Sequence, residues 1–210
     1  MKLRMSFLNV QLIHDLQCSL HEFHRANDGA IPDDQYNYLF AITTRLDFCA
    51  RFLNRRSNCP HSDEALLTFM MYSCMLVDGI KQLLKILSID VSVPDEQLYF
   101  GALCKKAPLN LSESNYPTDD KFFEYFRALT FAHPFETSRP KFLQSGEVQY
   151  SPWVIVNHVP EILDDSIVGV RIFSNKHNRI IDLEFPFETL KGYIESRYNL
   201  IASIIKWVNK

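Results

Sequence analysis

From Ser62 to Leu87 the chain places Leu66, Phe69, Ser73, Leu76, Ile80, Leu83 and Leu87 at alternating steps of three and four residues. An α-helix brings such positions onto one face. A stripe this long predicts packing between long, nearly antiparallel helices. Ser62 is suited to cap the N-terminus, and Asp63 and Glu64 suit the first turn. Met70, Met71 and Met75 read as core filling.

Two further helices precede this one. Phe7, Val10, Ile13, Leu16, Leu20 and Phe23 predict an amphipathic helix over roughly 4–26, ended by Asn27-Asp28-Gly29 and Pro32. A second helix starts near Asp33 and Asp34, with Leu39, Ile42, Leu46, Cys49 and Leu53 on its apolar face. Arg51, Arg55 and Arg56 stand near its end, where positive charge complements the helix dipole. Pro94, Pro108 and Pro117 interrupt residues 89–118, with a short helix expected at Leu98 to Leu103. A fourth helix is expected from about Asp119 to Ala132, with Phe122, Phe126 and Leu129 on its apolar edge.

The pattern then changes. Trp153 to Val156, Val168 to Phe173 and Ile180 to Phe185 are β-branched and aromatic runs, and Asn175 to Asn178 separates the last two as in a hairpin. Pro186 fits the first turn of a final helix carrying Leu190, Ile194, Ile201, Ile205 and Val208. Residues 134–150 are expected to form an exposed loop. The expected class is mainly α. It is an antiparallel bundle of four to five helices, with a small antiparallel hairpin or sheet at about 150–185 before the C-terminal helix. All 210 residues are assigned to one domain.

Composition limits the function classes. Hydrophobic residues make up 47% of the chain, enough for a sizeable core. The formal net charge of −3 argues against a strong, sequence-blind nucleic-acid binder while leaving room for a local basic site. The five cysteines are scattered without C-x-x-C spacing, so neither a disulfide framework nor a zinc knuckle is expected. Reduced thiols, an N-terminus without a signal-peptide apolar region and no membrane-length apolar run predict a soluble, cytoplasmic protein. His14, His21 and His24 share a helix, but the sequence places no acidic partners for a metal. Walker A, Rossmann, nucleophile-elbow and H-E-x-x-H patterns are missing, and the reading requires no cofactor.

The candidate site is Arg127-Ala-Leu-Thr-Phe-Ala-His133-Pro134. Proline disfavours helical geometry in the residue before it, so His133 should end the helix or lie just beyond. Six residues leave two helical side chains ~120° out of alignment. Leaving the helix frees the imidazole to swing toward Arg127. A histidine moves protons near neutral pH, and an arginine grips phosphate oxygens in a bidentate fork. Together they suit activation of a ribose 2′-hydroxyl and stabilisation of a phosphorane-like transition state. The same Arg-x(4–6)-His spacing also occurs at Arg55–His61, Arg56–His61 and Arg171–His177. Only Arg127–His133 lies on a helix leading into a loop with further polar groups, Glu136, Thr137, Ser138 and Arg139.

A mostly helical bundle with this motif at a late helix end resembles the HEPN superfamily. The segment Phe126-Arg127-Ala-Leu-Thr-Phe-Ala-His133-Pro134-Phe-Glu-Thr137 is the most specific part of that resemblance, which extends loosely over residues 60–140 and the last helix. The resemblance implies a homodimer in which two motifs meet to form one endoribonuclease site. It also implies a role in bacterial phage defence by abortive infection, or as a toxin. His133 would then be the general acid/base and Arg127 the phosphate clamp. Glu124, Thr137 and Arg139 are the candidate RNA-binding residues around them. Ala128 departs from the family pattern, since a polar residue is common there in active members. The hairpin insertion is also foreign to the minimal bundle.

Other roles remain open for the same residues. His133 suits a helix C-terminal cap, and Arg127 an ion pair with Glu124 or Glu136. Arg45, Arg51, Arg55 and Arg56 suit either an RNA track or a solvated helix face. Tyr125, Tyr150 and Trp153 suit either base stacking or burial against the bundle. The alternative function is a non-catalytic module that binds an antitoxin or a phage-derived protein.

Overall fold

The computed structural model describes residues 6–26, 31–58, 60–91, 97–106, 116–138, 146–157 and 166–210, without side chains at 105, 106 and 177–179. The fold is mainly α with a small antiparallel sheet. The helices are α1 (Gln11–Ala26), α2 (Asp33–Arg55), α3 (Asp63–Ile86), α4 (Gly101–Lys106), α5 (Asp119–Arg127), α6 (Phe187–Tyr198) and α7 (Leu200–Val208). The strands are β1 (Gln149–Tyr150), β2 (Val154–Asn157), β3 (Ile167–Ser174) and β4 (His177–Pro186). Among the described residues, no helix is long and apolar enough to cross a membrane.

Contacts gather the chain into two compact units. The first comprises Met1–Ser57, Met71–Ser92 and Ile194–Lys210; the second comprises Asn58–Met70 and Val93–Tyr193. α3 and α6 are therefore each divided between them along the sequence.

In the first unit α1 packs on α2 and α7. Buried Leu39, Leu46, Cys49 and Leu53 follow the expected α2 stripe, with Thr43 and Ala50 buried beside them and Ile42 only half-buried. Gly79 admits a close approach of α3, because a Cβ there would meet Leu46 Cδ2 at 2.8 Å. The Asn54 side chain receives the Leu8 amide at 2.6 Å and donates to the Leu8 carbonyl at 2.8 Å. The first segment of the chain is thereby fixed to the end of α2.

The C-terminal region is two helices, not one. Asn199 separates them, and the Ala202 amide bonds the Asn199 carbonyl at 3.1 Å in a tighter i→i+3 turn. The turn resets the helix phase, so Ile204 is buried in place of the expected Ile205. The described cysteines, Cys18, Cys49, Cys74 and Cys104, are free, and burial pushes the Cys49 and Cys104 thiols to about 11. Cys59 lies outside the described residues.

In the second unit Ser62 caps α3 as expected, accepting the Ala65 amide at 3.2 Å. β3 is the central strand, with β4 on one side and β1 and β2 in line on the other. Pro152 lies between β1 and β2, where the register against β3 slips by one residue. Proline has no amide to give to a ladder, which accounts for the break. β4 alternates cleanly, with Ile181, Leu183 and Phe185 buried and Asp182 and Glu184 exposed. Gly169 is required for the β3–β4 approach, since any Cβ there would collide with the Leu183 carbonyl oxygen.

The core of this unit is aromatic. Phe122 stacks on Phe100 with centroids 4.6 Å apart, and Phe126 meets Phe185 edge-on at 4.9 Å. Thr118 caps α5, accepting the Lys121 amide at 3.4 Å. The buried Asp119 carboxylate accepts backbone amides of Tyr99 and Phe100 at 3.1 and 2.8 Å, tying the turn before α4 to the start of α5.

Asp119→Ala leaves those two amides without their acceptor. A loss of about 1.5–3 kcal/mol per bond to a charged group is expected. Urea unfolding should register that loss, and a variant as stable as the wild type would show that the carboxylate does not hold this junction.

Candidate functional site

α5 ends as an α-helix at Arg127 and continues as a π-helical turn, Ala128–Ala132. The expected helix therefore reaches its expected end, but its last turn is wider. The His133 amide closes that turn on the Ala128 carbonyl at 2.8 Å. Thr130 lies in the same turn, with its hydroxyl donating to the Phe126 and Arg127 carbonyls at 2.9 and 3.1 Å. Such back-bonding bends helices. π-turns within α-helices occur frequently at functional sites.

His133 is where the helix stops. Its φ of −144° and ψ of 53° are non-helical, as the following Pro134 requires. Its carbonyl accepts the Thr137 hydroxyl at 2.7 Å and the Glu136 amide at 3.3 Å. The Pro134 carbonyl accepts the Ser151 amide at 2.7 Å. Thr137 and Gln149 exchange both backbone hydrogen bonds, at 2.8 and 3.0 Å. The backbone on both sides of the His133 side chain is therefore held, while that side chain is exposed. Among the described residues its ring makes no hydrogen bond. The helix end is closed by backbone groups and Thr137, not by the imidazole. Arg127 is half-buried on the last turn of α5, and Glu124 is exposed one turn earlier.

One expectation needs correction. Residues 134–150 were expected to be an exposed loop, yet Thr137, Glu147 and Gln149 are buried where this segment joins the sheet. Residues 139–145, including the candidate Arg139, lie outside the described residues. Thr137, a candidate RNA contact, is buried and its hydroxyl donates to the His133 carbonyl. Of the two roles open to Tyr125, burial is the one observed: it lies in the core and its hydroxyl donates to Gln149 Oε1.

Tyr125 begins a buried polar network that the sequence did not reveal. Gln149 Nε2 donates to Glu147 Oε1 at 2.9 Å, and the Ser174 hydroxyl donates to the same oxygen at 2.8 Å. Burial, with the Glu147 charge nearby, pushes the Tyr125 phenol above its ordinary range and keeps it a donor. A signal was present in retrospect: Glu147, Gln149 and Ser151 alternate on one side of a strand, the period of a ladder edge.

The outer face of the sheet carries exposed aromatic residues. Tyr150, Trp153, Phe173 and Ile180 are between 37% and 52% exposed, and Phe135 is 82% exposed. Arg171 lies 5.6 Å from the Trp153 ring centroid and pairs bidentately with Asp182 at 2.6 and 2.7 Å. Those hydrogen bonds hold the Asp182 carboxyl below its usual value. Arg171 is thus committed to the sheet, and the His177 side chain that would complete its motif lies outside the described residues. Among the described residues no group of three or more His, Cys, Asp or Glu could hold a metal ion. His24 stacks on Tyr36 at 4.1 Å, and His21 Nδ1 lies 3.0 Å from the Tyr36 hydroxyl.

Thr137→Val keeps the shape and removes one hydroxyl, and Tyr125→Phe removes another. Each should cost about 0.5–1.5 kcal/mol. Each should also speed hydrogen exchange at the Thr137, Gln149 and Ser151 amides relative to the core of β3. Unchanged exchange at those three amides in both variants would mean that neither hydroxyl secures the turn.

In comparisons with protein-family models, with curated proteins and with solved structures, nothing matches the chain.

Proposed function

We propose that this protein is a metal-independent endoribonuclease of HEPN type, with Arg127 and His133 as its catalytic pair. The observation that carries the reading is the exposed, unpartnered His133 imidazole on a backbone held at its amide and its carbonyl. General acid–base catalysis needs such a group, fixed in position and open to substrate. The π-turn between it and Arg127 supports the reading, because it shapes the segment joining the two side chains.

In the proposed reaction His133 takes the proton from a ribose 2′-hydroxyl. The 2′-oxygen attacks the adjacent phosphorus, and the bond from phosphorus to the 5′-oxygen breaks. Arg127 stabilises the charge that builds on the non-bridging oxygens. The products are a 2′,3′-cyclic phosphate and a 5′-hydroxyl, whose proton comes from His133 of a second copy in the proposed homodimer. Glu124 would bear on the site through its place one turn before Arg127. The biological setting proposed with this chemistry is bacterial phage defence or toxicity.

A second reading has its own observation. The exposed Tyr150, Trp153, Phe173 and Ile180 on the sheet suit a non-catalytic module that docks a partner protein, such as an antitoxin or a phage component.

Purified protein incubated with total RNA in EDTA separates the two. The nuclease reading predicts cleavage with cyclic-phosphate ends, a drop of about 10²–10⁴-fold for His133→Ala, and a marked loss for Arg127→Lys, which keeps charge but not the fork. All variants should match the wild type by circular dichroism. Equal cleavage by wild type and His133→Ala would rule out the assignment. Folded wild-type protein that leaves RNA intact, combined with partner capture abolished by Trp153→Ala, would favour the docking module.

A further inference from the structure

α2 carries two faces. One is the core stripe of Leu39, Leu46, Cys49 and Leu53. At 100° per residue, Arg45, Phe48, Phe52, Arg55 and Arg56 fall within an arc of about 100° on another side. From Arg45 to Arg56 this face runs ~16 Å along the helix axis. Phe48 is 46% exposed, and Phe52 stacks on Tyr72 of α3 with centroids 3.7 Å apart and planes 16° from parallel. The Arg45 guanidinium lies 5.9 Å from the Phe48 ring centroid.

Among the described residues, three of the charges on this side of α2 have no carboxylate partner. Asp47 accepts Arg51 at 2.8 Å on the flank, so Arg51 is committed to an ion pair. Arg45, Arg55 and Arg56 are exposed, and none of them has a carboxylate partner among the described residues. Three open guanidinium groups alternate with exposed or half-buried aromatic rings on one surface. Phe52 and Phe48 both meet Tyr72 of α3, at 3.7 and 5.7 Å, yet Phe48 stays 46% exposed beside the Arg45 guanidinium. Single-stranded nucleic acid matches both, with phosphates for the guanidinium groups and bases for the rings.

We propose that the Arg45–Arg56 face of α2, with Tyr72 beside it, binds single-stranded RNA. This site rests on the nuclease reading for the choice of RNA and would hold the substrate strand independently of the cleavage step. Phosphate contacts come from Arg45, Arg55 and Arg56, and Phe48 supplies the most open stacking surface.

The test uses the full chain and a fluorescein-labelled 2′-O-methyl oligonucleotide, which offers no free 2′-hydroxyl and so reports binding alone. Wild-type protein should raise the anisotropy with an affinity that falls as salt rises. Arg45→Ala/Arg55→Ala/Arg56→Ala should weaken binding at least tenfold and flatten the log Kd against log salt slope by roughly 2, about 0.7 for each lost phosphate contact. Phe48→Ala should weaken it by about 5- to 150-fold, the range for one lost stacking partner. These residues are largely at the surface, and circular dichroism should confirm unchanged folding.

Wild-type protein that cleaves RNA while the triple variant binds the oligonucleotide equally well would overturn this site and leave the nuclease reading standing. Wild-type protein that neither binds the oligonucleotide nor cleaves RNA would remove both. Sedimentation that shows a wild-type dimer dissolved by Phe48→Ala, with RNA affinity unchanged, would make this face an interface between copies and overturn the proposal.

Discussion

The reciprocal backbone pairing of Thr137 with Gln149 determines how the candidate site is presented. It joins the segment after α5 to the edge of β1, so the helix end cannot move independently of the sheet. Behind the pairing, Tyr125, Gln149, Glu147 and Ser174 share a buried hydrogen-bond network. A buried polar network is costly unless its members are satisfied, and a satisfied one specifies a single arrangement. The His133 carbonyl is bonded within the same turn, and the His133 ring faces solvent. Rigid backbone and open side chain are the two properties that a proton-transfer residue needs together.

The helices were legible because their periodicity is local. Ser62 capped α3, and the apolar stripe of that helix is buried at Leu66, Phe69, Leu76, Ile80, Leu83 and Leu87. The three long strands were legible because β-branched and aromatic runs suit a half-buried pleat. The end of the π-turn after α5 at Ala132 followed from Pro134. What escaped the sequence depends on partners distant along the chain or on side-chain hydrogen bonds. β1 is two residues long and exists through its pairing with β3 and Thr137. Thr137, Glu147 and Gln149 read as loop residues because their burial depends on one another. The π-turn coincides with the Thr130 hydroxyl bonds, which composition does not announce.

The candidate site was legible as a pair of residues and not as a setting. Arg127 and His133 stand on the segment expected for them, and His133 is exposed. Thr137 is buried with its hydroxyl on the His133 carbonyl, and Tyr125 is a buried donor, one of the two roles the sequence left open to it. Conversely, the exposure of Phe48 on α2 and Phe173 on the sheet was hidden in the sequence, while Tyr150 and Trp153 had been left open between stacking and burial. Hydrophobic residues are expected inside as a rule, so exposed aromatic groups become informative only once the core is known. The −3 net charge gave no hint of the arginines on α2, and their spacing left an RNA track and a solvated face both open.

The central claim is that His133 is a fixed, solvent-open group that meets RNA. Its imidazole resonances in protein carrying ¹⁵N-labelled histidine test this directly, followed while a non-cleavable single-stranded RNA is added. The account predicts that the His133 ring signals shift with saturation at the same RNA concentration that saturates binding, while buried core signals stay in place. Saturated RNA binding with His133 ring signals unmoved would contradict it.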